Sequence, residues 1–447
     1  MRTTLRSLAI SSLMVFVVTA AARTRPHYGG VVRMERSGGV YTEDLNRDPL
    51  VAETLTTVDA LGRVQPLLAT IWESQNEGRR WQFSVRANVH FHDDNTLTAA
   101  DIAQALNGKQ GAPWKSVRVV GANVVFECED AQPLLPELLT LQDYAVAKTD
   151  ASGAVIGTGP FRLVGLVGNT AKLAAFEDYW QGRPYVDAVE TTANRNLRDQ
   201  WMDLSVARTD VVEVPAQQVR YAQQERMRTL VSRNMELIAL VPSQQSQALQ
   251  DSRLRQAISL AIDRNSLLNV IFQKEGEVAA AVLPNWMTGY DFLFPTQQNL
   301  VMARDLRGQA KQSGVITIGY LPGDGIQQLV AERVALNARD AGIVMQAVPV
   351  RGIVHPDLEL LRVQLSSTVP SPALQGVSIL VGGQEGDPVD DNLDGIYEAE
   401  RALLSSYRVI PLLYVPSSYA AGSRVRNWSL TATGSPAVRE MWLEDRR

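Results

Sequence analysis

At 447 residues the chain is too long for one ordinary hydrophobic core, so two or more lobes are expected. Apolar residues at 45% against 20% charged exclude a disordered chain, and a net charge of −5 offers no basic footprint for nucleic acid. The single cysteine, Cys128, excludes an internal disulfide, so packing alone must hold the fold.

Arg2 and Arg6 precede an apolar stretch from Leu13 to Val18, which ends in Ala20-Ala21-Ala22. That order predicts a secretory signal over residues 1–22 with the mature chain starting near Arg23, because the apolar run is shorter than the ~20 residues of a spanning helix. No cysteine follows it to take a lipid, so a freely diffusing periplasmic protein is expected.

Tyr28-Gly-Gly-Val-Val-Arg-Met reads as a first strand, and Tyr41 to Leu55 as a helix-poor stretch. Trp81, Phe83 and Val85 alternate with Gln82, Ser84 and Arg86, the period of a strand with one buried face. Val89 and Phe91 begin a second alternation, with His90 and His92 facing the other way. Thr98 and Asp101 have capping-box spacing, and Ile102, Ala105 and Leu106 then recur at helical spacing. Val117 to Cys128 reads as two strands turned at Gly121-Ala-Asn, with Cys128 a buried, inert thiol. Pro133 to Leu141 reads as a short helix.

Gly157-Thr-Gly-Pro-Phe161 predicts a tight turn into a strand, and Tyr179, Trp180 and Tyr185 carry large apolar area for lobe packing. Leu254, Ala257, Ile258, Ala261 and Ile262 mark one helical face, after which Asp263 and Arg264 read as helix-end pairing and capping. A strand over Val315 to Leu321, a helix ending near Gly342 and a strand over Ile343 to Val350 form an α/β unit with parallel strands. A helix from Ile396 and a strand from Val409 follow.

Several of these blocks are similar to hallmarks of one family. Leu61-Gly-Arg-Val-Gln-Pro-Leu-Leu-Ala-Thr-Ile-Trp-Glu-Ser, Trp81-Gln-Phe-Ser-Val-Arg-Ala-Asn-Val-His-Phe-His-Asp, Gly157-Thr-Gly-Pro-Phe, Tyr179-Trp-Gln-Gly-Arg-Pro-Tyr185 and Arg255-Gln-Ala-Ile-Ser-Leu-Ala-Ile-Asp-Arg264 resemble the family 5 extracellular solute-binding proteins, the peptide and nickel receptors of ABC importers. The resemblance spans about residues 28 to 425. It implies an α/β, two-lobe periplasmic-binding-protein-like (type II) fold with an extra subdomain in the first lobe. Residues 23–238 would form lobe I, including an inserted subdomain at about 56–150; residues 239–408 would form lobe II, and 409–447 a return segment to lobe I. The implied protein is a monomer that needs no cofactor, captures a small solute, most readily a peptide, in the interlobe cleft and delivers it to an ABC permease in the inner membrane.

The pattern fails in one place. Peptide-binding members carry a Trp-x-x-Asp-x-x-Asp-Pro type segment whose aspartate meets the peptide amino terminus, and Asp357 to Gly376 holds neither that tryptophan nor that aspartate. Asp387-Pro388 lies in a Gly- and Asp-rich loop and does not replace it. The candidate cleft residues are Tyr41, near the start of the first lobe; Tyr144, before the crossover; Thr158 and Gly159, at the turn; and Arg351, a partner for an anion. His90 and His92 with Asp93 and Asp94 form a conceivable transition-metal site, set against their place in the ordinary first-lobe motif, and no metal ligand is assigned. No Gly-x-Ser-x-Gly, His-Glu-x-x-His or phosphate-loop motif is present, so no enzyme activity is expected. The alternative is a diverged sensory or scaffold protein that keeps the receptor shell with little solute affinity.

Overall fold

The computed structural model describes residues 25–37, 48–59, 61–109, 112–151, 153–290, 294–310, 314–350, 355–365, 367–380 and 393–444. The expected leader, Tyr41, Arg351 and the Asp387-Pro388 loop lie outside the described residues.

Strand β1 (Val31–Glu35) follows the Gly-Gly pair as expected. Next, β2 (Ala69–Gln75), β3 (Arg80–Val85), β4 (Trp114–Val120) and β5 (Asn123–Cys128) form an antiparallel sheet in the order β2-β3-β5-β4. The alternation in β3 buries Trp81 and Phe83 on one face. Helix Ala99–Leu106 packs on β4 and β5 and starts with the expected capping box: Thr98 Oγ1 accepts from the Asp101 N–H at 3.3 Å, and Asp101 Oδ2 accepts from the Thr98 N–H at 2.8 Å. The Val89 and Phe91 alternation buries both side chains yet makes only an isolated bridge, His90 with Thr96. The chain turns there instead, with Asp94 at φ 65° and the Phe91 N–H donating to the Asn95 carbonyl at 2.9 Å.

The larger sheet collects β6 (Phe161–Val167), β7 (Thr170–Ala175), β8 (Ala188–Thr192), β9 (Val211–Glu213), β10 (Arg228–Pro242), β11 (Ile316–Tyr320), β12 (Met345–Pro349), β13 (Leu358–Gln364) and β14 (Ile410–Ala421). With β1 and the short strand Glu277–Val278 on β14 it has eleven strands among the described residues, ordered β6-β7-β8-β1-β9-β14-β10-β13-β11-β12. The long strands β10 and β14 join its two halves, β14 reaching β9 on one side and β10 reaching β13 on the other. Between those regions their ladder slips. Ser232 and Arg233 together face Ser417, and Met235 has no counterpart between Pro416 and Val415.

Among the described residues four hydrophobic cores follow this division, the smallest being Val212, Val214, Val219, Ala222 and Ala420 beside β9. Phe83, Phe91, Ile102 and Phe126 pack within the four-stranded unit, Val32, Phe161, Val189 and Met441 under the first half of the large sheet, and Leu237, Ile258, Val334 and Leu413 in the second half. In that second half β11, helix Gly325–Asp340 and β12 form the expected α/β unit, with β11 and β12 parallel. Asp251 caps helix Ser252–Ala261, and Asp263 caps the next turn by accepting from the Ser266 N–H at 2.9 Å.

Arg264 departs from its expected place at a helix end. Its guanidinium is buried, donating from Nε to the Pro411 carbonyl at 2.9 Å and from Nη1 and Nη2 to Ser259 O and Oγ at 3.1 and 3.0 Å, beside the Phe294 ring. It thereby ties the end of that helix to β14. Burial pulls its pKa down to about 10, so it stays charged at neutral pH. We predict that Arg264→Ala, which leaves the Pro411 and Ser259 carbonyls without this donor, destabilises the protein by about 3 kcal/mol. Urea unfolding of the two proteins measures the difference, and an unchanged midpoint contradicts this role.

Candidate functional site

The segment Leu50-Val-Ala-Glu-Thr-Leu55 is apolar except for Glu53 and Thr54, and the Glu53 side chain is only 4% exposed. An unsatisfied carboxylate there costs several kcal/mol, or about that order. Three side chains distant in sequence satisfy it. Thr158 Oγ1 donates to Oε2 at 2.9 Å, the Tyr179 hydroxyl to Oε1 at 2.7 Å, and Trp180 Nε1 reaches Oε1 and Oε2 at 3.2 and 3.1 Å. The Glu53 backbone also bridges to Val146, whose N–H donates to the Glu53 carbonyl at 2.8 Å. One residue thus gathers the Gly-Thr-Gly turn, the Tyr-Trp pair and the end of the four-stranded unit. Burial raises the Glu53 pKa, and the donors from Tyr179, Trp180 and Thr158 pull against that rise.

The two glycines flanking Thr158 serve close approach. A Cβ on Gly157 would lie 2.0 Å from the Val51 carbonyl oxygen, and one on Gly159 would lie 2.6 Å from that of Leu50. The Gly159 and Phe161 N–H groups donate to the Val51 and Leu50 carbonyls, each at 2.9 Å. His92 locks the same turn from the other side. Its Nδ1 accepts from the Gly157 N–H at 3.3 Å, so Nε2 carries the proton and donates to the Gly159 carbonyl at 3.0 Å. Burial lowers its pKa and keeps it neutral at pH 7. Both ring nitrogens are therefore engaged by backbone. Among the described residues no group of three or more His, Cys, Asp or Glu is placed to hold a metal ion.

Beside this junction is a cavity of about 830 Å³. Met34, Leu173 and Thr191 of the sheet line it, as do Leu50 and Glu53 of the crossing segment and Val438 and Arg439 of the C-terminal segment. Glu35 and Glu213, at the carboxyl ends of the parallel strands β1 and β9, also line it, the end of an open α/β sheet where ligands ordinarily seat. Glu35 pairs with Arg195 at 3.4 Å, while Glu213 accepts from the Ser37 N–H at 2.9 Å. Tyr419 of β14 adds a phenol whose pKa burial and the Glu213 charge push up to about 12. None of the described lining residues comes from 239–408.

Of the residues expected to meet a solute, three are described. Thr158 is fully buried on Glu53, and Gly159 sits against Leu50, both behind the cavity wall. Tyr144 is buried in the core of the four-stranded unit, its ring 4.9 Å from that of Trp114. Gln142, two residues before it, does line the cavity. Sequence reasoning missed Glu53, Glu35, Glu213 and Tyr419. The signal for Glu53 was a lone acid inside an apolar run; strand-end residues such as Glu35 and Glu213 gave none. Cys128 is half-buried, and burial raises its thiol pKa to about 11.

Comparison with known proteins agrees with this architecture. Residues 63–359 match the family described as bacterial extracellular solute-binding proteins, family 5 Middle, and the chain belongs to that family. The chain is 23% identical over 269 residues to the oligopeptide-binding protein AppA of Bacillus subtilis, covering 53% of this chain and 49% of that protein. It is 22% identical over 295 residues to the dipeptide-binding protein of Escherichia coli, covering 56% and 55%. These matches span about half the length of those curated relatives. Among solved structures, the Helicobacter pylori periplasmic binding protein DppA in complex with peptide STSA superposes with a TM-score of 0.81 at 17% identity, over 94% of this chain and 99% of that one. NikA from Staphylococcus aureus in complex with Ni(L-His)2 gives 0.79 at 16% identity, over 93% and 100%. The fold is the two-lobe type II fold of these binding proteins.

Gly159→Ala should destabilise the protein by more than about 2 kcal/mol, since backbone rather than a flexible side chain faces the new methyl; thermal unfolding tests it against Gly165→Ala, where nothing lies within 4 Å. A raised carboxyl pKa means the folded state holds the proton more tightly than the unfolded one. This contribution to stability is therefore full below the ordinary value of 4.5 and is lost as pH rises through the folded pKa. Across that window Glu53→Gln should lessen the loss of stability with rising pH relative to wild type; parallel pH–stability curves for the two proteins would contradict this.

Proposed function

We propose that the protein is the solute-binding component of an ABC importer, working in the periplasm after removal of residues 1–22, and not an enzyme. It would act as a monomer that takes a short peptide or another small polar solute and presents it to a permease in the inner membrane. Family membership carries this reading, supported by the cavity at the carboxyl ends of β1 and β9, which Tyr419 of the joining strand β14 also lines. Among the described residues no helix is long and apolar enough to cross a membrane. The relatives named for oligopeptides and dipeptides make peptides the first class to test, and the nickel-binding structure makes metal chelates the second.

We infer lobe I from 23–238 with its subdomain at about 56–150, lobe II from 239–408, and a return segment from 409–447. Solute binding would then shift an open to closed equilibrium through the slipped β10–β14 ladder. Tyr41 and Arg351 are proposed solute contacts. Thr158 and Gly159 would serve the site indirectly, by holding Glu53 and Leu50 in the cavity wall, and Tyr144 by anchoring the turn that carries Gln142. The missing Trp-x-x-Asp segment implies that a peptide amino terminus is met by other acids than in relatives that carry it.

Thermal-shift measurement of the mature protein against di- to tetrapeptides, nickel–histidine chelates and sugars tests the reading. Saturation at 100 times Kd adds about 2.7 kcal/mol of stability and should raise Tm. No response across the panel would overturn it.

A further inference from the structure

The ladder between β10 and β14 slips where the two halves of the large sheet meet. Ser232 and Arg233 face the single residue Ser417, and the neighbouring Pro416 has no N–H to donate. The Ser417 N–H donates to a side chain there, Ser232 Oγ at 3.0 Å, and that hydroxyl in turn donates to the Arg233 carbonyl at 2.5 Å.

A turn of the C-terminal segment is laid over this notch. It closes through the Thr431 N–H to the Ser435 carbonyl at 2.7 Å and the Ala437 N–H to the Ser429 carbonyl at 2.9 Å. At its tip Gly434, with φ +86°, is so close that a Cβ would stand 3.1 Å from both Cβ and Oγ of Ser232 and 3.5 Å from Cβ of Ser417. Next to it, the Thr433 carbonyl accepts from Gln364 Nε2 at 3.5 Å, and Gln364 belongs to β13 on the far side of the slip. The base of the same segment is rooted in the first-half core through Val438, Met441 and Leu443. Its residues Thr431 and Ser435 to Glu440 line the cavity.

We propose that this C-terminal turn is a strap that couples the cavity to the hinge. One stretch of chain forms a cavity wall, plugs the slipped ladder at Ser232 and touches the second half at Gln364. Displacing the strap frees the two joining strands to flex, and an occupied cavity holds the strap in place. The proposal rests on the receptor reading for its use, though not for its geometry.

Small-angle scattering of the mature protein tests it without a solute. Gly434→Asn tolerates the positive φ but puts a side chain into the Ser232 notch, whereas Gly168→Asn carries the same backbone demand at φ +58° with nothing within 4 Å. Near-UV circular dichroism confirms that both variants are folded; if Gly434→Asn is not, Ser232→Ala, which removes the acceptor of the Ser417 N–H, takes its place. The expected result is a larger radius of gyration and a broader distance distribution for the strap variant, with Gly168→Asn matching wild type. Superimposable profiles for all three overturn the strap, whether or not a solute is found. A shifted profile together with no response in the thermal panel keeps the strap and removes the receptor reading.

Discussion

One buried carboxylate ties together the crossing segment, the Gly-Thr-Gly turn and the Tyr-Trp pair in the first half of the molecule. Glu53 lies in an apolar run, so it has to find donors or lose several kcal/mol to desolvation, and it finds them only if Thr158, Tyr179 and Trp180 arrive together. Those residues sit more than a hundred positions downstream, after the whole four-stranded unit has been inserted. Meeting that need fixes where the inserted unit leaves and rejoins the main chain. It also sets the crossing segment as a wall of the cavity.

Close backbone packing makes the junction specific. Gly157 and Gly159 let the turn press on Val51 and Leu50, and His92, neutral and held at both nitrogens, clamps it from the inserted unit. A charged imidazole would have no acceptor for its second proton in that setting, which agrees with its lowered pKa. His92, a residue type that can ligate a metal, is thus spent on backbone geometry.

The second half answers the same problem with a cation. Among the described residues Arg264 has no carboxylate in contact, and carbonyl and hydroxyl oxygens receive its buried guanidinium. Glu400 in helix Leu393–Ser405 accepts from the Leu283 N–H at 2.7 Å and the Tyr290 hydroxyl at 2.6 Å, pinning the segment between them. Each half has its own buried polar anchor and its own core. Among the described residues β10 and β14 are the strands that pass between them, with a break in their ladder at the passage.

Residue patterns were enough for the local elements. Alternation at Trp81 and Phe83, the Thr98–Asp101 cap and the helical face of Leu254 to Ile262 follow from interactions within a few residues, and the motifs carried family and fold class with them. Tertiary structure alone decided which polar residues were buried. Arg264 read as a helix-end charge and Thr158 as a cleft residue because sequence spacing says nothing of what a distant strand brings opposite. The same holds for the cavity: Glu35, Glu213 and Tyr419 come together only through the order of strands β1, β9 and β14, which pairs residues some two hundred positions apart. Local preference is set by near neighbours along the chain, whereas a binding surface is set by long-range pairing, and no short window of sequence contains it.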